Sequence, residues 1–281
     1  MQNHFEHCAR LVREVDKETY LATLFAPANY RDALFALYAF NVEISRVRDL
    51  AREPMPGEIR LQWWREILAG ERAEEATSNP IAAALLETLE RHNHGRLVAL
   101  IDAHTFDLYN EPMLAISDLQ SYAVTTAGSI FELAARILGG DTDFEVAALA
   151  AAAGQAQVLA NVLAQLPRHA ERRQLYVPVE VLQHYRAEPD DIFALRATPE
   201  VRAALAELRL RARRHLARVG AASTEIPKNM QPAFLPLAPL WRWLRDMERP
   251  DYDPFRPPQV APWRRQWRIW RAAKSLSRVG A

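Results

Sequence analysis

The sequence predicts an all-α fold in a single domain spanning residues 1–281, and three features carry that reading. Glycine is scarce, at nine of 281 residues, while alanine, leucine, arginine and glutamate dominate, a composition that favours helix. Alternation of apolar and polar residues at the period of a strand is nearly absent. The eighteen prolines fall mostly at the breaks between apolar-periodic runs, where they end or kink helices.

Taken in order, residues 3–18 form an amphipathic opening helix. Tyr30 to Arg52 forms a long one. Leu61–Leu68, Ile81–His92 and Gly95–Asn110 follow. Ser117–Leu138 and Phe144–Leu166 are apolar around most of their circumference, so both are expected to be buried. Val177–Tyr185 is short, and Pro199–Val219 is long with arginines on its wet face. Two or three helices in the proline-rich stretch after Ile226 complete the chain. No fixed-period repeat and no low-complexity linker interrupts this order.

Bulk properties limit the function classes. Lys+Arg and Asp+Glu number 35 each, so nothing attracts the whole chain to nucleic acid. With one cysteine, Cys8, no intramolecular disulfide forms, and a reducing compartment fits. Cys8 reads as a packing residue. The N-terminus, Met1 to His7, lacks the basic start and apolar run of a signal peptide. The longest apolar block, Val146 to Gly154, is too short to span a bilayer. Together these predict a cytoplasmic protein, and the basic tail described below allows it to sit peripherally on the inner membrane. His92 and His94 in "RHNH" are too close for a metal pair on one helix face.

Two polar ladders stand out. Asn41, Ser45 and Asp49 step by four, and so do Asn161, Gln165 and His169. Such spacing puts each set on one face of a helix. If the chain keeps the fold implied by the resemblance described next, the two sets line one central cavity, either as a neutral hydrogen-bonded plug or as a polar pocket for a lipid-like ligand. Pro167 interrupts the second set and is expected to bend His169 away. Arg168, Arg172 and Arg173, with Glu171, read as a solvated basic face or as a basic cluster that meets phosphate.

The blocks that hold these ladders resemble a known family. "YRDALFALYAFNVEISRVRDL" followed by "LQWWREIL", and "GQAQVLANVLAQLPRHAERRQLYVPVEVL", are similar to the two conserved blocks of squalene and phytoene synthases. Gly154, Ala156, Asn161, Tyr176 and Pro178 fall in register. The resemblance implies a terpenoid-synthase fold with a central cavity. It also implies four carboxylates that hold magnesium against a prenyl diphosphate. Magnesium takes hard oxygen ligands, so those carboxylates matter to the chemistry. Their positions here hold Ser45, Asp49, Gln165 and His169, and Arg46 follows the first. One carboxylate of four remains. No catalytic residue and no metal site are therefore expected, and no cofactor. Asn41, Ser45, Asp49, Asn161, Gln165 and Tyr176 remain as candidate ligand-binding residues.

The "NVE" after Tyr-Ala-Phe, the lost second-motif carboxylates and the ending "EIPKNMQPAFLPLAPLWRWLRDMERPDYDPFRPP" resemble one branch of that family. It is the branch with a respiratory complex I assembly factor. The resemblance implies a non-catalytic binding protein whose partner is a membrane subunit of complex I. The alternative is a prenyltransferase that condenses two prenyl diphosphates with magnesium.

Residues 241–281 form a Trp/Arg-rich tail. Five of the seven tryptophans lie there, with ten basic and four acidic residues, a net charge of +6 in a neutral chain. Trp263, Trp267 and Trp270 fall within about 60° of one helix face at 100° per residue. Arg264, Arg265, Arg268 and Arg271 flank them. Residues 263–271 are expected either to meet an anionic membrane surface or to pack tryptophan against the core.

Overall fold

The structure, a computed structural model, describes residues 2–51, 53–89, 93–139, 145–256, 261–274 and 276. Helices account for nearly all regular structure, and no strand occurs among these residues. In chain order they are α1 (Gln2–Val15), α2 (Lys17–Thr23), α3 (Ala28–Ser45), α4 (Val47–Leu50), α5 (Pro54–Ala69) and α6 (Ala73–Ser78). Next come α7 (Pro80–Thr88), α8 (His94–His104), α9 (Ile116–Ala123), α10 (Ser129–Gly139), α11 (Ala147–Ala164) and α12 (Leu166–Glu171). The last are α13 (Val179–His184), α14 (Pro189–Phe193), α15 (Pro199–Ala221), α16 (Leu240–Asp246) and α17 (Pro262–Lys274).

The expected long helices are present but broken at specific residues. Asp16 divides the opener, because its carboxylate accepts from the Thr19 amide and caps α2. The second long helix stops at Arg46 and resumes as α4. The buried run after Ser117 contains one π-helical turn, Val124–Gly128, between α9 and α10. The run ending at Leu166 breaks at Gln165, one residue before Leu166-Pro167 open α12. The short helices α6, α12 and α14 are additions to the sequence-based reading; they span too few residues to show a period. Arg52, His92 and Phe144, at expected helix ends, lie outside the described residues, as do 257–260 and 277–281 of the tail.

Buried apolar side chains form one contiguous cluster from Cys8 to Leu276. Phe40 on α3 meets Trp64 of "LQWWREIL" edge-on at 5.0 Å, tying α3 to α5. Glu132 of α10 is 4 % exposed and is paired with Arg96 and Arg136, each at 2.8 Å. A carboxylate taken from water needs such partners. Cys8 is fully buried, and burial pushes its thiol up to about 12, so it packs and does not react.

Helix α11 is 18 residues long with a mean hydropathy of 1.4, long and apolar enough to cross a membrane. Here α10, α15 and the π turn pack against it, and 56 % of it is buried. The sequence reading expected this buried helix, as Phe144–Leu166, but judged its apolar block from Val146 to Gly154 too short to span a bilayer.

Among the described glycines, the one closest to neighbouring backbone lies on this helix. A Cβ at Gly154 would stand 2.3 Å from the Gly128 amide nitrogen and 2.7 Å from the Ala123 carbonyl oxygen. Only hydrogen fits between α11 and the π turn. Gly154→Ala is expected to destabilise the protein by about 1–3 kcal/mol or more through overpacking against backbone. The denaturant midpoint measures it. Gly95→Ala, where an added Cβ meets nothing within 4 Å, is the control and should leave the midpoint unchanged or slightly higher.

Candidate functional site

A cavity of about 1020 Å³ lies at the centre of the helices. Both polar ladders line it: Asn41, Ser45 and Asp49 from α3 and α4, and Asn161, Gln165 and His169 from α11 and α12. Tyr176 joins them. The space is open, so the neutral plug is corrected. The polar side chains line this volume without filling it. Asn161 accepts a hydrogen bond from Gln157 at 3.1 Å, and the Ser45 hydroxyl donates to the Val42 carbonyl at 3.4 Å.

Each ladder breaks where its helix breaks. Arg46 and Gln165 adopt nearly the same backbone geometry, φ −97° and ψ 1° against φ −95° and ψ 10°. Asp49 and His169 thus sit on short second helices at the cavity. Pro167 does not carry His169 away: the imidazole packs on the Tyr176 ring at 4.6 Å. Its Nδ1 is buried with no hydrogen-bond partner.

Asp49 is held by arginine. Arg168 Nη2 and Arg172 Nη1 reach the same carboxylate oxygen, Oδ1, at 2.5 and 2.7 Å. Burial by itself would raise this carboxyl. The hydrogen bonds from Arg172 and Arg168 outweigh it and hold Asp49 below the ordinary carboxylate range. Arg168 and Arg172 are therefore part of the site and not a solvated face. The α12 turn, unseen in sequence, points them back at α4. Arg173 takes a left-handed backbone, φ 54°, and lays its guanidinium over Phe193 at 4.9 Å.

Deeper in the cavity sits a cluster that the sequence reading missed. Asp107, 8 % exposed, lies in a 3-10 turn, Thr105–Leu108, after α8. Its carboxylate accepts from Tyr176 at 2.5 Å and from Tyr122 at 3.0 Å, and His104 Nδ1 stands 2.6 Å away. Gln174 donates to its backbone carbonyl at 2.6 Å. A buried carboxylate requires such donors. Burial first, then the Asp107 charge, raises both phenols far above their ordinary value, so they stay protonated and serve as donors. The one sequence signal was the His104–Asp107 spacing of three; the partners at Tyr122, Gln174 and Tyr176 are distant in the chain.

Magnesium does not fit this donor set. Asp49 is already neutralised by two guanidinium groups, and Ser45, Gln165 and His169 supply no carboxylate. Hard cations need several oxygen ligands, and an adjacent arginine pair opposes any cation. No group of three or more His, Cys, Asp or Glu with metal-binding geometry occurs among the described residues. His92 lies outside those residues, and His94 bonds the Leu68 carbonyl at 3.1 Å.

The tail helix α17 shows its tryptophans to solvent. Trp263, Trp267 and Trp270 are 63 %, 51 % and 47 % exposed, while Ile269, Ala272 and Leu276 on the opposite face are buried. Arg264, Arg271 and Lys274 lie over the three rings at 5.2, 4.7 and 3.7 Å. Arg268 turns inward and lines the cavity, so it is not part of the outer flank.

His169 gives a pH test. Burial, reinforced by the neighbouring Arg168 and Arg172 charges and opposed by Asp107, lowers its imidazole to about 4. The unfolded chain, near 6.5, therefore binds more protons between those values. Stability is fully present above pH 6.5 and falls as pH drops towards 4. The loss should reach about 2–3 kcal/mol. His169→Gln is expected to flatten the unfolding free energy across pH 6.5–4; an unchanged slope would refute the assignment.

Comparison with known proteins agrees with this geometry. The squalene/phytoene synthase family model matches residues 12–271. The chain is 30 % identical over 253 residues to the rat NADH dehydrogenase (ubiquinone) complex I assembly factor 6, covering 89 % of this chain and 76 % of the relative. It is 30 % identical over 225 residues to a phytoene synthase of Thermus thermophilus, covering 76 % and 72 %. A squalene synthase structure from Alicyclobacillus acidocaldarius superposes with a TM-score of 0.74 at 27 % identity, covering 90 % of this chain and 96 % of that one. A dehydrosqualene synthase superposes at 0.80 with 17 % identity over 98 % and 97 %, which shows the shared fold. The terpenoid-synthase architecture, the cavity between motif helices and the matched span together place this chain in the squalene/phytoene synthase family.

Proposed function

We propose that the chain is a non-catalytic member of this family that acts as an assembly factor for respiratory complex I. The observation that carries the reading is the Asp49 clamp. The one surviving carboxylate of the motif faces two arginines at 2.5 and 2.7 Å, so the charge needed to hold a metal-bound diphosphate is reversed. The relatives that match 89 % of the chain at about 30 % identity carry the assembly-factor name, which supports the same direction. Function on a shared scaffold depends on the site, and this site has lost its ion cluster.

The partner in this reading is a membrane subunit of complex I, met by a protein lying peripherally on the inner membrane. Helix α17 supports that placement. Its three exposed tryptophans suit the headgroup layer, and its five basic residues with no acidic one suit anionic lipid.

Three measurements test the proposal. With farnesyl diphosphate and magnesium, diphosphate release is expected to stay at the level of the chelated control; clear metal-dependent turnover would make the chain a transferase. Deleting the gene in its source organism is expected to lower assembled complex I on native gels. Sedimentation with anionic vesicles at low salt should be lost in Arg264→Glu with Arg271→Glu, since each basic residue near such a surface contributes about 1 kcal/mol. If the parent chain ignores anionic vesicles at low salt, α17 meets protein instead.

A further inference from the structure

Helix α5 buries Gly57, Leu61, Trp64 and Leu68 on one face. At 100° per residue, Met55 and Ile59 fall opposite them. They are 69 % and 65 % exposed, above every other large apolar side chain among the described residues. Leu50 at the end of α4 and Tyr109 after the 3-10 turn are exposed too, on elements that pack against α5. A single exposed apolar residue is ordinary, whereas several on one joined set of elements mark a contact surface. Pro54 and Pro56 stand in the first turn of α5 and fix its backbone, so Met55 is presented at little ordering cost.

The rim of this surface is acidic. Glu53, Glu58 and Glu111 are exposed, and none forms an ion pair among the described residues. Glu53 precedes α5 and makes no capping bond. The Tyr109 hydroxyl donates to Glu58. That bond first, with desolvation and the Glu58 and Glu111 charges behind it, raises the phenol, so both carboxylates lie near it. The arginines of α5 are already matched, Arg60 by Glu43 at 2.5 Å and Arg65 by Asp102 at 2.6 Å. Among the described residues the surface therefore carries excess negative charge, the reverse of α17. An anionic bilayer repels such a face.

An apolar centre inside a charged rim is the anatomy of a protein–protein contact. Its complement is an apolar stripe flanked by cations, which an amphipathic basic helix presents at i, i+3 and i+4. Membrane proteins supply such segments: lysine and arginine concentrate in their short cytoplasmic-side loops, within about 15–20 residues of the spans.

We propose that this face of α5, with Leu50 and Tyr109, docks a Lys/Arg-bearing amphipathic segment beside a transmembrane helix of the protein partner. Met55 and Ile59 enter its apolar stripe, and Glu53, Glu58 and Glu111 meet its cations. The inference deepens the assembly-factor reading, on which it rests, by naming the surface that meets the partner. Helix α17 and the α5 face then have separate tasks, the first towards lipid and the second towards protein.

Fluorescence anisotropy of a labelled leucine/lysine amphipathic peptide, titrated with the full chain at low salt, provides the test. The control is a scrambled peptide of the same composition, which forms no apolar stripe. The amphipathic peptide is expected to bind about tenfold more tightly than the scrambled one. Met55→Ser with Ile59→Ser should weaken it by about tenfold through lost apolar burial. Glu53→Gln with Glu111→Gln should weaken it by about fivefold and flatten its salt dependence. All four side chains are exposed, so these variants keep the fold, which thermal melting reports. Equal binding of the scrambled peptide, or unchanged binding by Met55→Ser with Ile59→Ser, would overturn the inference. Two rival occupants have their own signatures. Concentration-dependent dimers that Ile59→Ser dissolves would assign the surface to a second copy. Vesicle binding lost in Ile59→Ser but kept in Arg264→Glu with Arg271→Glu would assign it to lipid. Either result overturns the proposal. Gene deletion that leaves complex I intact defeats the assembly reading together with this partner. If deletion lowers complex I and the Met55→Ser, Ile59→Ser chain restores it fully, this inference fails alone.

Discussion

At Gly154 the backbone of α11 comes so close to the π turn at Gly128 that a single methyl group would have to occupy the space of an amide nitrogen. The back of the cavity depends on that approach. On one side it fixes α11, which carries Gln157, Asn161 and the break at Gln165. On the other it fixes the α9–π–α10 run, which carries Tyr122, Thr126, Ile130 and Phe131. A π turn adds a residue to a helix and shifts the register of the turns beyond it. Here it brings Tyr122 to Asp107 while α10 turns Glu132 towards Arg96.

Around this contact the polar interior has two charged centres of different character. Asp107 is enclosed, and tyrosine hydroxyls and an imidazole satisfy it. Asp49 stands at the entrance, and arginines with access to solvent satisfy it. A buried carboxylate with all its donors in place contributes to a unique packing arrangement and has little freedom to respond. A half-exposed ion pair is weak, because solvent screens it and two long side chains must be ordered. The entrance is therefore the less firmly held of the two centres. In this chain Ser45, Gln165 and His169 bring no negative charge to the entrance, and Arg168 and Arg172 bring positive charge.

The same division applies to the surface. Most of α17 obeys the rule for an amphipathic helix, with Ile269 and Ala272 on the core side. The opposite face would ordinarily be charged only. It carries three indoles under cationic side chains instead. Cation–π contacts of this kind stabilise an exposed ring modestly, and they leave its apolar edge available to a membrane or a partner.

The all-helical class, the burial of α10 and α11 and the resemblance of both motif blocks were legible in the sequence, because they rest on local composition and on residues close together in the chain. That Ser45, Gln165 and His169 offer no carboxylate was legible for the same reason. The helix breaks at Asp16, Arg46 and Gln165 were not, since capping and a nearby proline act over a single residue and leave the apolar period intact. The Asp107 cluster was hidden because its partners come from segments up to 69 positions apart, joined only by packing. Residue spacing could place Arg168 and Arg172 on a basic helix face, but it could not say which way that face turned. Tertiary structure decided this: the break at Gln165 swings α12 so that both arginines meet Asp49, 123 positions before Arg172 in the chain. The direction in which α17 shows its tryptophans was decided in the same way. Both faces of that helix are apolar enough to be buried, and only the shape of the remaining core selects one.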